Sequence, residues 1–155
     1  MRMLLVAGAV MLAQFGSMDG PAKAPKQRVT YVAEVETVAA GKRAVLELRF
    51  RVDDGFHVNS HAPKSDLQIP TALDLGAADG VKVAAVEYPA GKEFSFAFDP
   101  KEKLDVYSDD FVVKVPVVAT AGPHELKGEL KYQACDHAAC YPPRTLPVDV
   151  VFAAK

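Results

Sequence analysis

The sequence has no tryptophan, only two cysteines and no excess of basic charge. It contains 18 lysines and arginines and 20 aspartates and glutamates, which gives a formal net charge of −2. Proteins that bind nucleic acid through its phosphates need a positive field, so this balance argues against that class. Half of the 155 residues are hydrophobic. The chain can therefore bury a core, and its composition excludes intrinsic disorder.

Long hydrophobic runs are also scarce. The one such run, residues 3–13 (MLLVAGAVMLA), follows Arg2. A transmembrane helix needs about 20 apolar residues, whereas a run of this length is typical of a secretory signal. We predict a signal peptide and the start of a linker at residues 1–22, more linker at 23–27, and a periplasmic or secreted product without a transmembrane span. The alternative is a buried N-terminal strand or helix.

In the remainder of the chain, hydrophobic and polar residues alternate with the two-residue period of β-strands. Residues 45–52 have an apolar face and a charged face, formed by Leu46, Leu48, Phe50 and Val52 against Glu47, Arg49 and Arg51. Strands are predicted at residues 29–38, 45–52, 71–75, 81–88, 94–98, 111–119, 124–134 and 145–152. Glycine- and proline-containing turns separate these segments. This pattern predicts one all-β domain at residues 28–155, an immunoglobulin-like antiparallel β-sandwich.

The two cysteines, Cys135 and Cys140, lie in the connection between the last two predicted strands. A hairpin brings its two arms together, which suits the Cα separation of roughly 4.4–6.8 Å in disulfides. Closing so short a loop contributes only about 2 kcal/mol, and exposed disulfides at strand ends exchange readily. The pair is therefore either a redox-active dithiol or a structural staple in a secreted binding module. The spacing alone does not decide between them.

A metal site is a third interpretation. Cys135, His137 and Cys140 could supply soft ligands, with a fourth from His57, His61 or His124. Zinc sites usually have cysteines closer together in sequence, however, and the methionine clusters typical of copper sites are missing. The sequence also lacks the G-x-S-x-G and H-E-x-x-H motifs of hydrolases.

The segments 132–135 (YQAC) and 140–143 (CYPP) resemble the signature of the N-terminal periplasmic domain of the thiol:disulfide interchange protein DsbD family. Two further stretches support the resemblance, which covers residues 28–152. They are 54–59 (DGFHVN) followed by 69–71 (IPT), and 104–107 (LDVY) through 115–117 (VPV).

This resemblance implies a sandwich that relays reducing equivalents, as in cytochrome c biogenesis, and uses no cofactor besides its disulfide. Cys135 and Cys140 match the redox cysteines of the family, with Cys140 as the one that forms mixed disulfides. A thioredoxin-like or membrane-embedded protein would donate electrons, and exported thiol proteins would accept them. Family members continue into a membrane region and a thioredoxin-like domain, so for this chain we expect a separate donor.

Several polar residues near the cysteines are candidates for chemical roles. The family often has tyrosines where this chain has His57 and Asn59. When protonated, His57 or His137 would stabilise a cysteine thiolate. Asp136 would oppose ionisation of a thiol, unless it carries the proton.

Other residues are candidates for shielding the pair. Tyr132 and Tyr141 flank the cysteines and would exclude water and stray oxidants. Pro142, with Pro143, stiffens the exit of the loop. In the family a cap loop covers the cysteines, and the resemblance implies a cap at residues 96–101 with Phe98 as its lid.

Overall fold

A computed structural model describes residues 26–155, and within them all regular structure is β-strand. The strands are β1 Val29–Val32, β2 Glu36–Val38, β3 Arg43–Val52, β4 His57–Asn59, β5 Ala72–Leu75, β6 Val81–Val83, β7 Lys92–Phe96, β8 Asp99–Tyr107, β9 Asp110–Ala119, β10 Gly122–Tyr132, β11 Ala134–Cys135 and β12 Arg144–Ala154. The predicted signal peptide, and the predicted linker up to residue 25, lie outside the described residues. In the described part, no helix has the length and apolarity needed to cross a bilayer.

The strands form three four-stranded sheets. The first sheet has the order β1-β3-β9-β6, the second β2-β12-β10-β5, and the third β11-β4-β8-β7. Neighbouring strands are antiparallel except for β12 and β2, which are parallel. One hydrophobic core contains side chains from the inner faces of the first and second sheets. The fold is thus an immunoglobulin-like β-sandwich, and the predicted fold class is confirmed.

The core follows the alternation that the sequence predicts in β3. Its even-numbered residues from Leu46 to Val52 are buried, while Glu47 and Arg51 are exposed. The same rule holds along β9, where the Phe111 ring stacks on Phe50 with centroids 5.3 Å apart. Such alternation fixes the register of the strand in the sheet, because a shift of one residue would turn all of its apolar side chains towards solvent.

Four predicted segments have the wrong extent. The segment 124–134 combines β10 of the second sheet, which ends at Tyr132, with the first residue of β11 in the third sheet. The segment 29–38 is two strands, β1 in the first sheet and β2 in the second. The segment 81–88 is a strand only as far as Val83, and 94–98 ends at Phe96, because residues 97–98 form the turn into β8. β4 and β8 were not predicted. β4 is only three residues long and β8 begins with five polar residues or prolines, so neither shows a two-residue period.

The third sheet positions the cysteines. After Tyr132, the last residue of β10, the chain enters β11, which pairs with β4. β4 in turn pairs with β8. The cysteine segment is therefore a direct continuation of a core strand, held on one side by a buried strand.

Candidate functional site

Cys135 and Cys140 form a disulfide, with their Cα atoms 3.9 Å apart. The two residues face each other in a short antiparallel bridge. Two backbone hydrogen bonds flank them, from Asp136 N to Ala139 O (2.9 Å) and from Tyr141 N to Ala134 O (2.8 Å). This makes the cysteines a non-hydrogen-bonded pair, the position at which facing side chains come closest. The Cα separation of 3.9 Å is shorter than the roughly 4.5 Å of such pairs and than the roughly 4.4 Å at the lower end of the range for disulfides.

The two cysteines differ in accessibility. Cys135 is 0% exposed on β11, whereas Cys140 is exposed on the outer arm of the hairpin. Cys135 lies between two neighbours in the sheet, Cys140 on one side and His57 of β4 on the other. A partner protein that approaches from solvent therefore meets Cys140 first, and Cys135 stays within the fold.

Asp136 organises the loop between the cysteines. Its carboxylate accepts hydrogen bonds from the backbone N–H groups of Ala138 and Ala139, both at 2.8 Å, and from the Tyr141 hydroxyl. The Tyr141 bond and then the two backbone bonds lower the pKa of Asp136 to about 2, and the same carboxylate raises the pKa of Tyr141. Asp136 is therefore an anion at neutral pH, and its part in the thiol chemistry stays a prediction.

The two flanking tyrosines occupy different environments. Tyr132 is fully buried in the main core, and its hydroxyl donates to the Gln27 side chain and accepts from Arg28 N. Gln27, in the predicted linker, is therefore attached to the sandwich. Tyr141 is 38% exposed and packs on the ring of Phe56, with centroids 5.9 Å apart.

His57 is 4% exposed and lies opposite Cys135 on the same face of the third sheet. The ring packs 4.1 Å from that of Phe94, and its Nε2 atom has no hydrogen-bond partner among residues 26–155. Burial, followed by the charge of His137, lowers the pKa of His57, and Asp136 opposes this only in part. His57 is consequently mostly neutral at pH 7 while the disulfide is closed.

The lowered pKa of His57 predicts a dependence of stability on pH. The unfolded chain takes up the proton near the ordinary histidine pKa of about 6.5, and the folded chain does so only at lower pH. The free energy of unfolding should therefore decrease as the pH falls from about 6.5 to the folded-state pKa. His57→Phe should remove this part of the dependence. Urea unfolding between pH 7 and pH 4.5 measures it, and parallel curves for the two proteins would contradict the prediction.

Asn59 connects β4 to the cysteine segment. It is buried, and its Nδ2 atom donates to Ile69 O at 2.9 Å and to Gln133 Oε1 at 3.2 Å. Gln133 in turn donates to Tyr141 O at 3.2 Å. The amide thus links the buried strand to both arms of the cysteine hairpin, which is a positioning contact that an amide makes and a hydrophobic residue could not.

The β7–β8 hairpin packs over this part of the third sheet. Phe94, Phe96, Leu104 and Val106 form a small second core. Phe94 lies against His57 and is 6.3 Å from the ring of His137. The sequence analysis did not include Phe94 among the site residues, although the alternation of phenylalanines at 94, 96 and 98 was a usable signal.

The predicted lid residue, Phe98, is at the tip of the hairpin. It is 70% exposed and stacks on Phe96 at 4.9 Å. Its role as a lid stays a prediction, but the aromatic rings beside His57 are those of Phe94, 4.1 Å away, and Phe96, 6.0 Å away. Beside the Phe94 ring, a cleft of about 370 Å³ is lined by Phe56, His57, Phe94 and His137 among others.

Two exposed ion pairs, Glu93–Lys64 and Lys92–Asp109, link the hairpin to the rest of the domain, and a third, Glu93–Lys103, joins β7 to β8 within it. Glu93 Oε2 is 3.4 Å from Lys64 Nζ, Glu93 Oε1 is 3.2 Å from Lys103 Nζ, and Lys92 Nζ is 3.5 Å from Asp109. Hydrogen bonds from Lys103 and then Lys64 lower the pKa of Glu93. Ion pairs in solvent contribute little to stability and weaken with salt. These ion pairs therefore add little to the attachment of the hairpin, which rests on the pairing of β8 with β4 and on the packing of Phe94 against His57.

The structure does not assemble the ligand set of a metal site. His61 stacks on Tyr88 at 3.7 Å, and His124 is at the start of β10, at the far end of that strand from the cysteine segment. Among residues 26–155, no cluster of three or more His, Cys, Asp or Glu side chains is suited to hold a metal ion.

The prolines at the exit of the cysteine loop have ordinary backbone geometry. Pro142 is exposed, and every peptide bond of residues 26–155, including those before Pro142 and Pro143, is trans.

Comparisons with known proteins agree with this architecture. The family model of the N-terminal domain of the thiol:disulfide interchange protein DsbD matches residues 26–151. The N-terminal periplasmic domain of ScsB from Proteus mirabilis is 12% identical, with a TM-score of 0.53 over 79% of this chain and 44% of that chain. At this identity the likeness concerns the fold alone.

Two structures from Neisseria meningitidis are also similar. The reduced DsbD N-terminal domain is 23% identical over 70% of this chain and 81% of that chain, with a TM-score of 0.45. A chain of the complex between the DsbD and PilB N-terminal domains is 22% identical over 86% and 87%, with a TM-score of 0.47. No curated protein is significantly similar in sequence.

Proposed function

The chain belongs to the family of DsbD N-terminal domains, and from this premise we propose that it is a periplasmic thiol–disulfide exchange module. It takes reducing equivalents from a thioredoxin-like or membrane-embedded donor and passes them to exported thiol proteins through Cys135 and Cys140. The observation that carries the proposal is a disulfide with one buried and one exposed cysteine at the end of the sandwich. A staple needs no such difference, whereas exchange needs one sulfur open to attack.

Each exchange moves two electrons and two protons. A thiolate of the donor attacks Cys140 Sγ, the disulfide breaks, and Cys135 leaves as a thiolate that takes up a proton. The donor's second thiolate then attacks the donor sulfur that is bound to Cys140. This closes a disulfide in the donor and releases Cys140 as a thiolate, which takes up the second proton. The donor is now oxidised and the module is a dithiol. The same steps in reverse reduce the disulfide of an acceptor.

The surrounding residues have supporting roles in this scheme. Cys135 leaves inside the fold, beside His57, which is mostly neutral at pH 7 while the disulfide is closed. Asn59 and Tyr141 hold the arms of the hairpin. The β7–β8 hairpin is the cap, because it places Phe94 against His57, the cross-strand neighbour of Cys135.

The equilibrium reduction potential tests the proposal directly. We expect a value between about −180 and −280 mV, in the range of exchanging dithiols. The purified chain would be equilibrated in glutathione or dithiothreitol buffers, alkylated and weighed by mass spectrometry. A reduction potential more negative than about −300 mV, or a disulfide that is reduced only after the fold unfolds, would overturn the exchange function. Such a result would favour a secreted binding module with a structural disulfide.

A further inference from the structure

A line of side-chain contacts leads from the start of the domain to the cysteine loop, and the exchange scheme above does not use it. Arg28 Cζ lies 4.0 Å from the centroid of the Phe56 ring. Phe56 packs on Tyr141 with centroids 5.9 Å apart, and the Tyr141 hydroxyl donates to Asp136. Asp136 then binds two backbone N–H groups of the loop. Each contact is of a recognised attractive type.

The other end of this line is fixed in the core. Arg28 N donates to the hydroxyl of the fully buried Tyr132 at 3.0 Å. The Arg28 carbonyl accepts from Asp53 N at 2.9 Å, and its guanidinium is 3.5 Å from the Asp53 carboxylate. Asp53 also accepts from Phe56 N, which sets the turn that presents the Phe56 ring. Arg28 and Phe56 thus join a rigid part of the molecule to a loop that is otherwise mostly exposed.

We propose that Arg28 and Phe56 are positioning residues of the cysteine hairpin, which hold Cys140 beside Cys135 when the disulfide is open. This inference rests on the proposed exchange function. Once the disulfide is reduced, the covalent link across the hairpin is lost. The outer arm then keeps its place through the backbone hydrogen bonds of the hairpin and through the Tyr141 side chain, which contacts Phe56 on its ring and Asp136 at its hydroxyl.

Positioning has a thermodynamic and a kinetic consequence. Two thiols that are held together have a high effective concentration, which favours closure of the disulfide. Loosening the hairpin should lower the equilibrium constant for closure about tenfold, which is equivalent to a reduction potential about 30 mV less negative. It should also lengthen the life of a mixed disulfide on Cys140, because Cys135 then attacks it less often.

The test compares Phe56→Leu with Phe56→Tyr, which keeps the ring, and with Tyr31→Leu. Tyr31 is a matched control because it is also a half-buried aromatic residue against the main core, but on β1 of the first sheet. The readouts are the potential in glutathione buffers and the fraction of chain that carries one glutathione. We expect both to increase in Phe56→Leu, and to stay near wild type in the other two proteins. Equal values in Phe56→Leu and Tyr31→Leu, or a more negative potential, would overturn the inference.

A second pair of variants keeps the test decisive if Phe56→Leu does not fold. Arg28→Gln should raise the potential in the same direction, while Arg43→Gln, which removes an exposed arginine of β3 that is paired with Glu87, should not. The wild-type measurement separates the two proposals. If the wild-type disulfide cannot be reduced in the folded state, the exchange function fails. If it exchanges but neither Phe56→Leu nor Arg28→Gln differs from its control, only the positioning role fails.

Discussion

Replacing Cys140 with serine is expected to reduce disulfide exchange at least about a thousandfold, equivalent to about 4 kcal/mol of activation free energy. The remaining cysteine, Cys135, is buried and has no sulfur to pair with. Replacing Cys135 with serine should have a different result. Cys140 then stays accessible and accepts a partner's sulfur, but no second thiol releases it, so the mixed disulfide accumulates.

Mass spectrometry after incubation with oxidised glutathione separates these outcomes. Cys135→Ser should carry one glutathione and Cys140→Ser essentially none. The rates of alkylation by iodoacetamide should follow the same order, because the thiolate must be accessible to react. Faster labelling and glutathionylation of Cys140→Ser would show that the buried cysteine is the one attacked, and would require the hairpin to open before exchange. The double variant is the control for non-specific labelling.

Removing the ring of Phe94 should have the next largest effect on reactivity. The ring packs on His57, which is the cross-strand neighbour of Cys135. Without the ring, water can solvate the Cys135 thiolate as it leaves, so in Phe94→Ala the disulfide should be reduced by dithiothreitol about ten times faster. This corresponds to a barrier lower by about 1.4 kcal/mol. Phe98→Ala should change the rate less than about twofold, because that ring already extends mostly into solvent.

These two variants also compare two assignments of the lid. A larger rate increase in Phe98→Ala than in Phe94→Ala would support the lid expected from sequence and contradict the one favoured by the packing. Thermal unfolding of both variants is the necessary control, since a loosened domain would also expose its disulfide. The rates should therefore be measured at least 15 °C below the lower midpoint, a margin chosen so that only about one molecule in a hundred or fewer is unfolded.

The parts of the fold that could be predicted from sequence are those in which each residue's environment alternates. β3 and β9 pair with each other along most of their length and have one face against the core. In these strands the alternation of hydrophobic and polar residues in the sequence therefore matches the alternation of buried and exposed side chains. β4 and β8 could not be found in this way. All three residues of β4 are buried, and the first five residues of β8 are exposed, so neither carries a two-residue pattern.

The functional site likewise has a part that could be predicted from the sequence and a part that could not. The sequence by itself determined the candidate redox residues, Cys135 and Cys140, because only two cysteines exist and their neighbours carry a family signature. It also determined the sandwich, since period-two alternation has a local physical cause. Only the tertiary structure decided which cysteine is exposed, that Phe94 lies against His57, and that Arg28 reaches the cysteine loop through Phe56. Those relations join residues that are distant in sequence, and strand pairing and ring packing create them only after the chain has folded.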